Sequence, residues 1–320
     1  MKKRLFSIIL TVLCLLTACG QTAPEPPAED AGLTIVATTY PIYLFADALT
    51  EGMEDVRVER LDTGSTSCLH DYNLTVNDMK KLEQADVIAM NGVGLEEFLE
   101  DALSTSDALV IDCSEGVELL ENLSHHHDEH DHSHEGHDHG HFDPHYWMDM
   151  GNARIMVDNI AAGLARLDKD NEAAYLENAA GTDLLLYSWD NELKDPANGW
   201  NRVSSGLITF HDGFQYFAHA YGLQLLEAIE EEAGSEASAK EIVEITELVR
   251  EHDIPVIFTE VNGSDATANA IARETGCAVA QLSMCMDGPD GELSHYLDAM
   301  ARNMAAVING FAGEEVVRLG

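Results

Sequence analysis

The sequence predicts an α/β protein with two lobes, each built on a parallel sheet of βα units, joined by a long backbone helix. Short apolar strands alternate with amphipathic helices from residue 33 to residue 114. The same alternation returns from residue 206 onward, and the stretch between them has helical spacing with little strand character. Because parallel strands need crossover connections, which are usually helices, this rhythm predicts two parallel sheets.

The elements of the first lobe, residues 33–148, follow from short runs of apolar residues. Its predicted strands are 33–37, 56–61, 86–91 and 108–113. Its predicted helices are 41–49, 76–85 and 95–103. A Gly- and Ser-containing loop, residues 62–75, follows the second strand.

A connecting helical segment, residues 149–198, leads to the second lobe, residues 199–320. Met156, Ile160 and Leu164 fall on one helical stripe of that segment. The predicted strands of the second lobe are 207–210, 223–228, 255–259 and 278–283, and its helices are 214–221, 239–252, 265–275 and 294–309. Ligands of open α/β sheets bind beyond the carboxyl ends of the strands, so the cleft between the lobes is the expected site.

Residues 1–19 have the pattern of a bacterial lipoprotein signal peptide. A basic start precedes an apolar run that is too short to span a bilayer. The run ends in Leu16-Thr17-Ala18-Cys19, which resembles a lipobox with Cys19 as the lipidated residue. Residues 20–32 are rich in proline and acidic residues and predict a flexible tether. The mature protein is therefore expected outside the cytoplasmic membrane, held to it by acyl chains.

The charge balance argues against nucleic-acid binding. The chain has 17 Lys and Arg against 58 Asp and Glu, a formal net charge of −41. Neutralising phosphates needs clustered basic side chains, which are absent here. An acidic surface attracts cations, although a solvated acidic surface is an equally good explanation of the charge.

Four side chains stand at strand or loop ends where they could face one cleft. They are His70 after the second strand, His145 at the end of a histidine-rich run, His211 at the start of the second lobe, and Asp287 after the last strand. Three imidazoles and one carboxylate form a four-coordinate set suited to Zn²⁺. Taken singly, a histidine at a strand end is more often structural, and an Asp-Gly pair is more often a turn.

A histidine-rich, acidic insertion, residues 124–141, precedes His145. Its histidines are His125, His126, His127, His130, His132, His134, His137, His139 and His141. Such a composition cannot bury enough apolar surface to fold alone, so we predict a flexible loop that collects metal weakly. The alternative is a disordered insertion with incidental affinity for metal.

Several motifs resemble those of the zinc- and manganese-binding receptors of bacterial ABC importers. They are Thr38-Thr39-Tyr40-Pro41, His70-Asp71-Tyr72, the histidine-rich insertion, Asp143-Pro144-His145-Tyr146-Trp147-Met148-Asp149, Phe210-His211-Asp212-Gly213-Phe214-Gln215-Tyr216-Phe217, and Phe258-Thr259-Glu260.

The resemblance implies that His70, His145 and His211 bind metal, with Asp287 as a possible fourth ligand. It also bears on the metal, since manganese-type members tend to carry a carboxylate where this chain has His211. A nitrogen donor there favours Zn²⁺ over Mn²⁺. Glu260 is either an acceptor for the second N–H of a ligating imidazole or a structural carboxylate.

The surroundings of His70 and Asp287 depart from the family pattern, and each includes a cysteine. Cys68 precedes His70 by two residues, and Cys285 precedes Asp287 by two. An exported protein can form disulfides. The two cysteines are therefore candidates for a pair across the cleft, or one of them for a thiolate ligand; two unpaired thiols are the alternative.

The expected function is an extracytoplasmic receptor that binds Zn²⁺ between its lobes and hands it to the permease of an ABC importer with its ATPase. The alternatives are a manganese receptor, a zinc-storing or adhesive surface lipoprotein, and a metal-dependent hydrolase. A hydrolase needs a general base, for which Glu260 or Asp212 is available, but the chain has no HExxH signature. We expect a monomer that is not an enzyme.

Overall fold

The structure, a computed structural model, describes residues 32–63, 69, 72–123, 141–204, 206–229 and 239–319. The predictions for the signal peptide with Cys19, nearly all of the tether, Cys68, His70 and residues 124–140 lie outside this range. Among the residues that the structure describes, no helix is both long and apolar enough to cross a membrane.

The first lobe is a four-stranded parallel sheet with helical crossovers. Its strands are β1 (Leu33–Ala37), β2 (Val56–Arg60), β3 (Val87–Met90) and β4 (Leu109–Asp112), in the spatial order β2-β1-β3-β4. Its helices are α1 (Tyr40–Leu49), α2 (Val76–Gln84) and the single turn α3 (Glu100–Leu103). Strand β1 is buried along its whole length, as expected for a central parallel strand.

Local chemistry explains where the helices of this lobe begin. The Thr39 hydroxyl accepts a hydrogen bond from the backbone N–H of Ile42, and Pro41 occupies the first turn of α1. Helix α2 begins with a capping box, in which Thr75 and Asp78 each accept a backbone N–H of the other. The Asp78 carboxylate also accepts the N–H of Asp62 (2.8 Å), which holds the start of α2 beside the carboxyl end of β2.

Two helices, rather than one long helix, make up most of the connection between the lobes: α4 (Met150–Leu167) and α5 (Glu172–Leu193). A turn separates them, because the Asp168 carboxylate accepts hydrogen bonds from the Asn171 amide (2.8 Å) and the Tyr175 hydroxyl (2.9 Å). The two helices fold back on each other, and an ion pair joins Arg154 to Asp183 at 2.6 Å.

The second lobe repeats the strand order of the first. Its strands are β5 (Leu207–Thr209), β6 (Leu225–Ala228), β7 (Val256–Glu260) and β8 (Ala278–Leu282), all parallel and ordered β6-β5-β7-β8. Its helices are α6 (Gln215–Ala220), α7 (Ala239–Glu251), α8 (Ala266–Thr275) and α9 (Ser294–Ala312). The prediction of an α/β fold with two parallel-sheet lobes is confirmed. In each sheet the strand order reverses between the two central strands, β1 and β3 in the first lobe and β5 and β7 in the second. Ligands of such folds bind at this point.

A continuous buried core joins the two lobes. The ring of Phe45 in α1 meets the ring of Tyr296 in α9 edge to face, with centroids 5.1 Å apart. The Tyr296 hydroxyl donates to the Trp147 carbonyl (2.7 Å), and the Trp147 indole N–H donates to the Met284 carbonyl (2.9 Å). Burying each large side chain contributes about 1.5–3 kcal/mol, so this contact holds the lobes in a defined arrangement.

Candidate metal site

His145 is held in one orientation by Asp143. The Asp143 carboxylate accepts two hydrogen bonds from His145, one from its backbone N–H and one from Nδ1 of the ring, both at 2.8 Å. Because an ionised carboxylate can only accept, the ring proton lies on Nδ1 and the lone pair lies on Nε2. Neutral imidazole with an acceptor behind it is the usual state of a metal-binding histidine. The sequence contained Asp143 within its family motif but gave it no role; its place two residues before the histidine was the available signal.

The charges around His145 favour its protonated form. Burial, the largest single effect, disfavours the imidazolium, but the charge and hydrogen bond of Asp143, with the charges of Asp212 and Glu260, outweigh it and raise the pKa of His145. The same carboxylates also favour the binding of a metal cation beside the neutral imidazole.

His211 follows β5 and reaches the same point from the second lobe. Its ring lies 5.3 Å from the ring of His145, centroid to centroid, at an interplanar angle of 80°. Its Nδ1 lies 3.8 Å from the Glu260 carboxylate, which ends β7. This distance exceeds that of a hydrogen bond but suits an electrostatic contact. The carboxyl ends of the two central strands of the second sheet therefore bring His211 and Glu260 together.

Asp287 does not join these two histidines in a metal-binding group within the described residues. It is exposed, and its carboxylate accepts a hydrogen bond from the N–H of Gly288 (2.8 Å). Burial, with Cys285 and Asp287 nearby, raises the pKa of Tyr40 to about 12, so the charge of Asp287 acts on that hydroxyl. Its role as a fourth ligand stays a prediction.

The first lobe forms hydrogen bonds with the loop that carries Asp287. The Tyr40 hydroxyl donates to the Pro289 carbonyl (2.8 Å), and the Arg60 guanidinium donates to the Gly288 carbonyl (2.9 Å). A β-carbon at Gly288 would lie 2.4 Å from the Tyr40 hydroxyl oxygen, so the two lobes touch closely here. These hydrogen bonds fix the backbone directly after Asp287.

Cys285 is buried, and its thiol is free in the structure. Its pairing with Cys68 stays a prediction. Burial raises the pKa of Cys285 to about 12. The thiol is placed beside the phenol rings of Tyr40 and Tyr296. Cys68 itself lies outside the described residues.

The base of the histidine-rich insertion is attached to the second lobe close to His145. Glu121 and Phe142 form an antiparallel bridge across that base. The Tyr216 hydroxyl, in α6, accepts from the N–H of Leu120 (2.9 Å) and donates to the carbonyl of Asp143 (3.0 Å). His141, the last histidine of the insertion, is exposed and lies 3.6 Å from the Glu121 carboxylate. The insertion that is predicted to collect metal therefore ends a few residues before His145.

Two histidines alone do not complete a metal site. Within the described residues there is no group of three or more His, Cys, Asp or Glu side chains arranged to hold a metal ion. His70, the third predicted ligand, lies outside those residues. The loop that contains it leads from β2, beside Leu61, to α2.

Comparison with known proteins agrees with this architecture. The family model described as zinc-uptake complex component A, periplasmic (ZnuA), matches residues 35–310. The high-affinity zinc uptake system protein ZnuA of Bacillus subtilis is 28% identical over 309 residues, covering 94% of this chain and 95% of that protein. The manganese-binding lipoprotein MntA of Halalkalibacterium halodurans is 25% identical over 322 residues, covering 98% and 100%.

Among solved structures, the laminin-binding protein Lmb of Streptococcus agalactiae superposes with a TM-score of 0.71 at 25% identity, covering 88% of this chain and all of that one. It is described as a bifunctional protein with adhesin and metal-transporting activity. Relatives of both metal types thus share the fold, and the family consists of substrate-binding proteins rather than enzymes. With a matching model that extends over nearly all of the described lobes, the chain belongs to the ZnuA family, the metal-binding receptors of ABC importers.

Proposed function

We propose that this protein is an extracytoplasmic, lipid-anchored receptor that binds Zn²⁺ in its interlobe cleft and delivers it to the membrane permease of an ABC importer. The observation that carries the proposal is the pair His145 and His211, whose rings lie 5.3 Å apart although they come from different lobes. Each ring has a carboxylate on its Nδ1 side, at 2.8 Å from Asp143 and at 3.8 Å from Glu260. An acceptor on the Nδ1 side of an imidazole makes Nε2 the nitrogen that binds a cation.

Zinc is proposed over manganese because of the donor atoms. Imidazole nitrogen suits Zn²⁺, whereas Mn²⁺ prefers carboxylate, carbonyl and water oxygens. His70 is proposed as the third nitrogen donor. The surrounding carboxylates Asp143, Asp212 and Glu260 offset the positive charge of the bound ion, which is the cargo of the receptor.

The anchor and the insertion complete the proposal. Cys19 is proposed to carry the lipid, and the histidine-rich residues to collect Zn²⁺ near the cleft. Several relatives are themselves named lipoproteins. The attachment of the insertion's base to Tyr216 and Asp143 supports transfer over a short path.

Native mass spectrometry with elemental analysis tests the site. We expect the wild-type protein, once the exchangeable metal of the insertion has been removed by mild chelation, to retain one tightly bound zinc. His211→Ala is expected to lose it, and His252→Ala, which changes an exposed histidine of the same lobe, is the matched control. Retention of one tight zinc by His211→Ala would contradict the assignment.

Adhesion is a second candidate function, favoured by the similarity to Lmb alone. Binding of the zinc-loaded protein to immobilised laminin, compared with its binding to albumin, tests it. Equal binding to the two surfaces would remove this candidate.

A further inference from the structure

Met284 lies beside His211, on the side of its ring that faces away from Glu260. A β-carbon built on Gly213 would lie 2.9 Å from the Met284 sulfur and 2.8 Å from Cδ2 of His211. The thioether and the imidazole edge therefore flank the same point of the chain. Cδ2 is bonded to Nε2, so the edge of the ring that borders Gly213 is the edge next to the nitrogen that is proposed to bind metal.

The backbone of Met284 is fixed relative to His145. Its carbonyl accepts the indole N–H of Trp147 (2.9 Å), and Trp147 follows His145 by two residues, with its ring 5.3 Å from the imidazole. The side chain of Met284 thus borders Gly213 together with the His211 ring, and its backbone is tied to the segment that carries His145. Its side chain is buried.

The loop around Met284 is held in a conformation that the chain would not adopt unaided. The Asn303 side chain accepts the N–H of Ser283 and donates to its carbonyl, both at 2.8 Å. Cys285 has a φ of +56°, which costs energy for a residue with a side chain, and its N–H donates to the Ser283 hydroxyl (3.1 Å). In this conformation the side chain of Met284 is buried and that of Asp287 is exposed.

From this placement we infer that the Met284 thioether is a metal-contacting donor that selects soft cations and discriminates against Mn²⁺. The inference rests on the proposed site at His145 and His211 and adds a donor to it. A thioether sulfur binds soft or borderline cations and has little affinity for hard ones. With the Asp287 carboxylate exposed, we assign the donor of this loop to the thioether, and a soft donor disfavours Mn²⁺.

Cadmium K-edge absorption spectroscopy of the full protein tests this directly, with Cd²⁺ as the probe. We expect a sulfur shell at bonding distance together with nitrogen in the wild type, and its loss in Met284→Leu, a substitution that nearly conserves volume. Met286→Leu, at another buried methionine of the same loop, is the matched control and should keep the shell. In competition with a chromophoric chelator, Met284→Leu should lower the ratio of Zn²⁺ to Mn²⁺ affinity about tenfold or more.

The outcomes separate this inference from the proposed function. A wild-type site that binds Cd²⁺ tightly through nitrogen and oxygen alone overturns the role of Met284 and leaves the receptor function standing. A sulfur shell that persists in Met284→Leu and disappears in Cys285→Ser also overturns it and assigns the donor to the thiol. Absence of tight metal binding by the wild type rejects the proposed function itself. Should Met284→Leu not fold, the wild type and the double variant Cys68→Ser/Cys285→Ser still decide, because a sulfur shell that disappears in the double variant belongs to a thiol and overturns the inference.

Discussion

The imidazole of His145 lies 5.3 Å from that of His211, nearly at right angles to it, although the two residues reach the cleft from different lobes. Both rings are buried or nearly so, with side-chain exposures of 6% and 16%. Neither histidine is placed by its neighbours in sequence alone. His145 depends on Asp143 and on Trp147, whose indole is held by the distant Met284 carbonyl, and His211 depends on the end of β5 in the centre of the second sheet.

Replacing Asp143 by Asn should weaken metal binding without removing it. The amide can present its N–H₂ group to His145, which would favour the tautomer with its proton on Nε2 and so block that nitrogen. Changes to such partners typically cost about 10–100-fold in metal affinity. Competitive titration of Zn²⁺ against a chelator measures the effect. Asp212→Asn, which removes a more distant charge, should cost less, and the reverse order would contradict the role of Asp143.

Metal affinity should fall as the solution is made acidic. The pKa of His145 is raised above its ordinary value of 6.5, so a proton competes with the metal already near neutral pH. Once the pH is below that raised pKa, affinity should fall by about tenfold per pH unit for each proton displaced. Zinc titrations between pH 8 and pH 5, on a variant lacking residues 125–140, provide the measurement.

The metal-free protein should show the opposite dependence. His145 is more easily protonated in the folded state, so its charge contributes stability that is fully present below the unfolded pKa near 6.5 and is lost as pH rises through the folded pKa. Urea unfolding of the metal-free protein at several pH values checks the sign. In His145→Gln this part of the pH dependence should vanish; an unchanged profile would assign it to other groups.

Asp287→Asn should change zinc affinity by no more than about twofold, the scale of about 0.5 kcal/mol that exposed substitutions produce. The side chain is exposed and already accepts the N–H of Gly288. Asp290→Asn, which lies on the same loop and is 77% exposed, is the matched control. A loss of about tenfold or more in Asp287→Asn alone would make this carboxylate a ligand after all.

Replacing either of two glycines in the connecting helices by alanine should change the free energy of unfolding, in opposite directions for the two positions. A β-carbon at Gly163 in α4 would lie 2.3 Å from Cδ1 of Ile111, a buried side chain of β4. Gly163→Ala should therefore lower the free energy of unfolding by about 1–3 kcal/mol through overpacking. Gly181→Ala in α5 meets nothing within 4 Å and should raise it by about 0.5–1 kcal/mol.

Thermal unfolding of the two alanine variants beside the wild type supplies the comparison. If both variants shift in the same direction, the close approach of α4 to β4 is not what determines the response at Gly163. Zinc binding should be unaffected in both, since neither glycine touches the histidine pair.

The sequence alone determined the two parallel sheets, because alternation of apolar strands with amphipathic helices is a local pattern that survives in the fold. The strands predicted at 33–37 and 278–283 are found at Leu33–Ala37 and Ala278–Leu282. It also predicted His145 and His211 as ligands, since strand ends and an aromatic segment are visible in one dimension, and the structure brings their rings within 5.3 Å. The single connecting helix was wrong in detail, because the Asp168 carboxylate forms a turn through contacts with Asn171 and Tyr175.

Only the tertiary structure decided which side chains of the segment 283–287 are buried and which are exposed. Spacing along the chain could not decide it, because the positive φ of Cys285 interrupts the regular alternation of directions, and Asn303 and Trp147 hold the neighbouring backbone from distant parts of the sequence. The same holds for the distance between His145 and His211, which depends on packing across the core that joins the lobes. Local patterns encode which residues can form the site, and long-range contacts determine which of them meet.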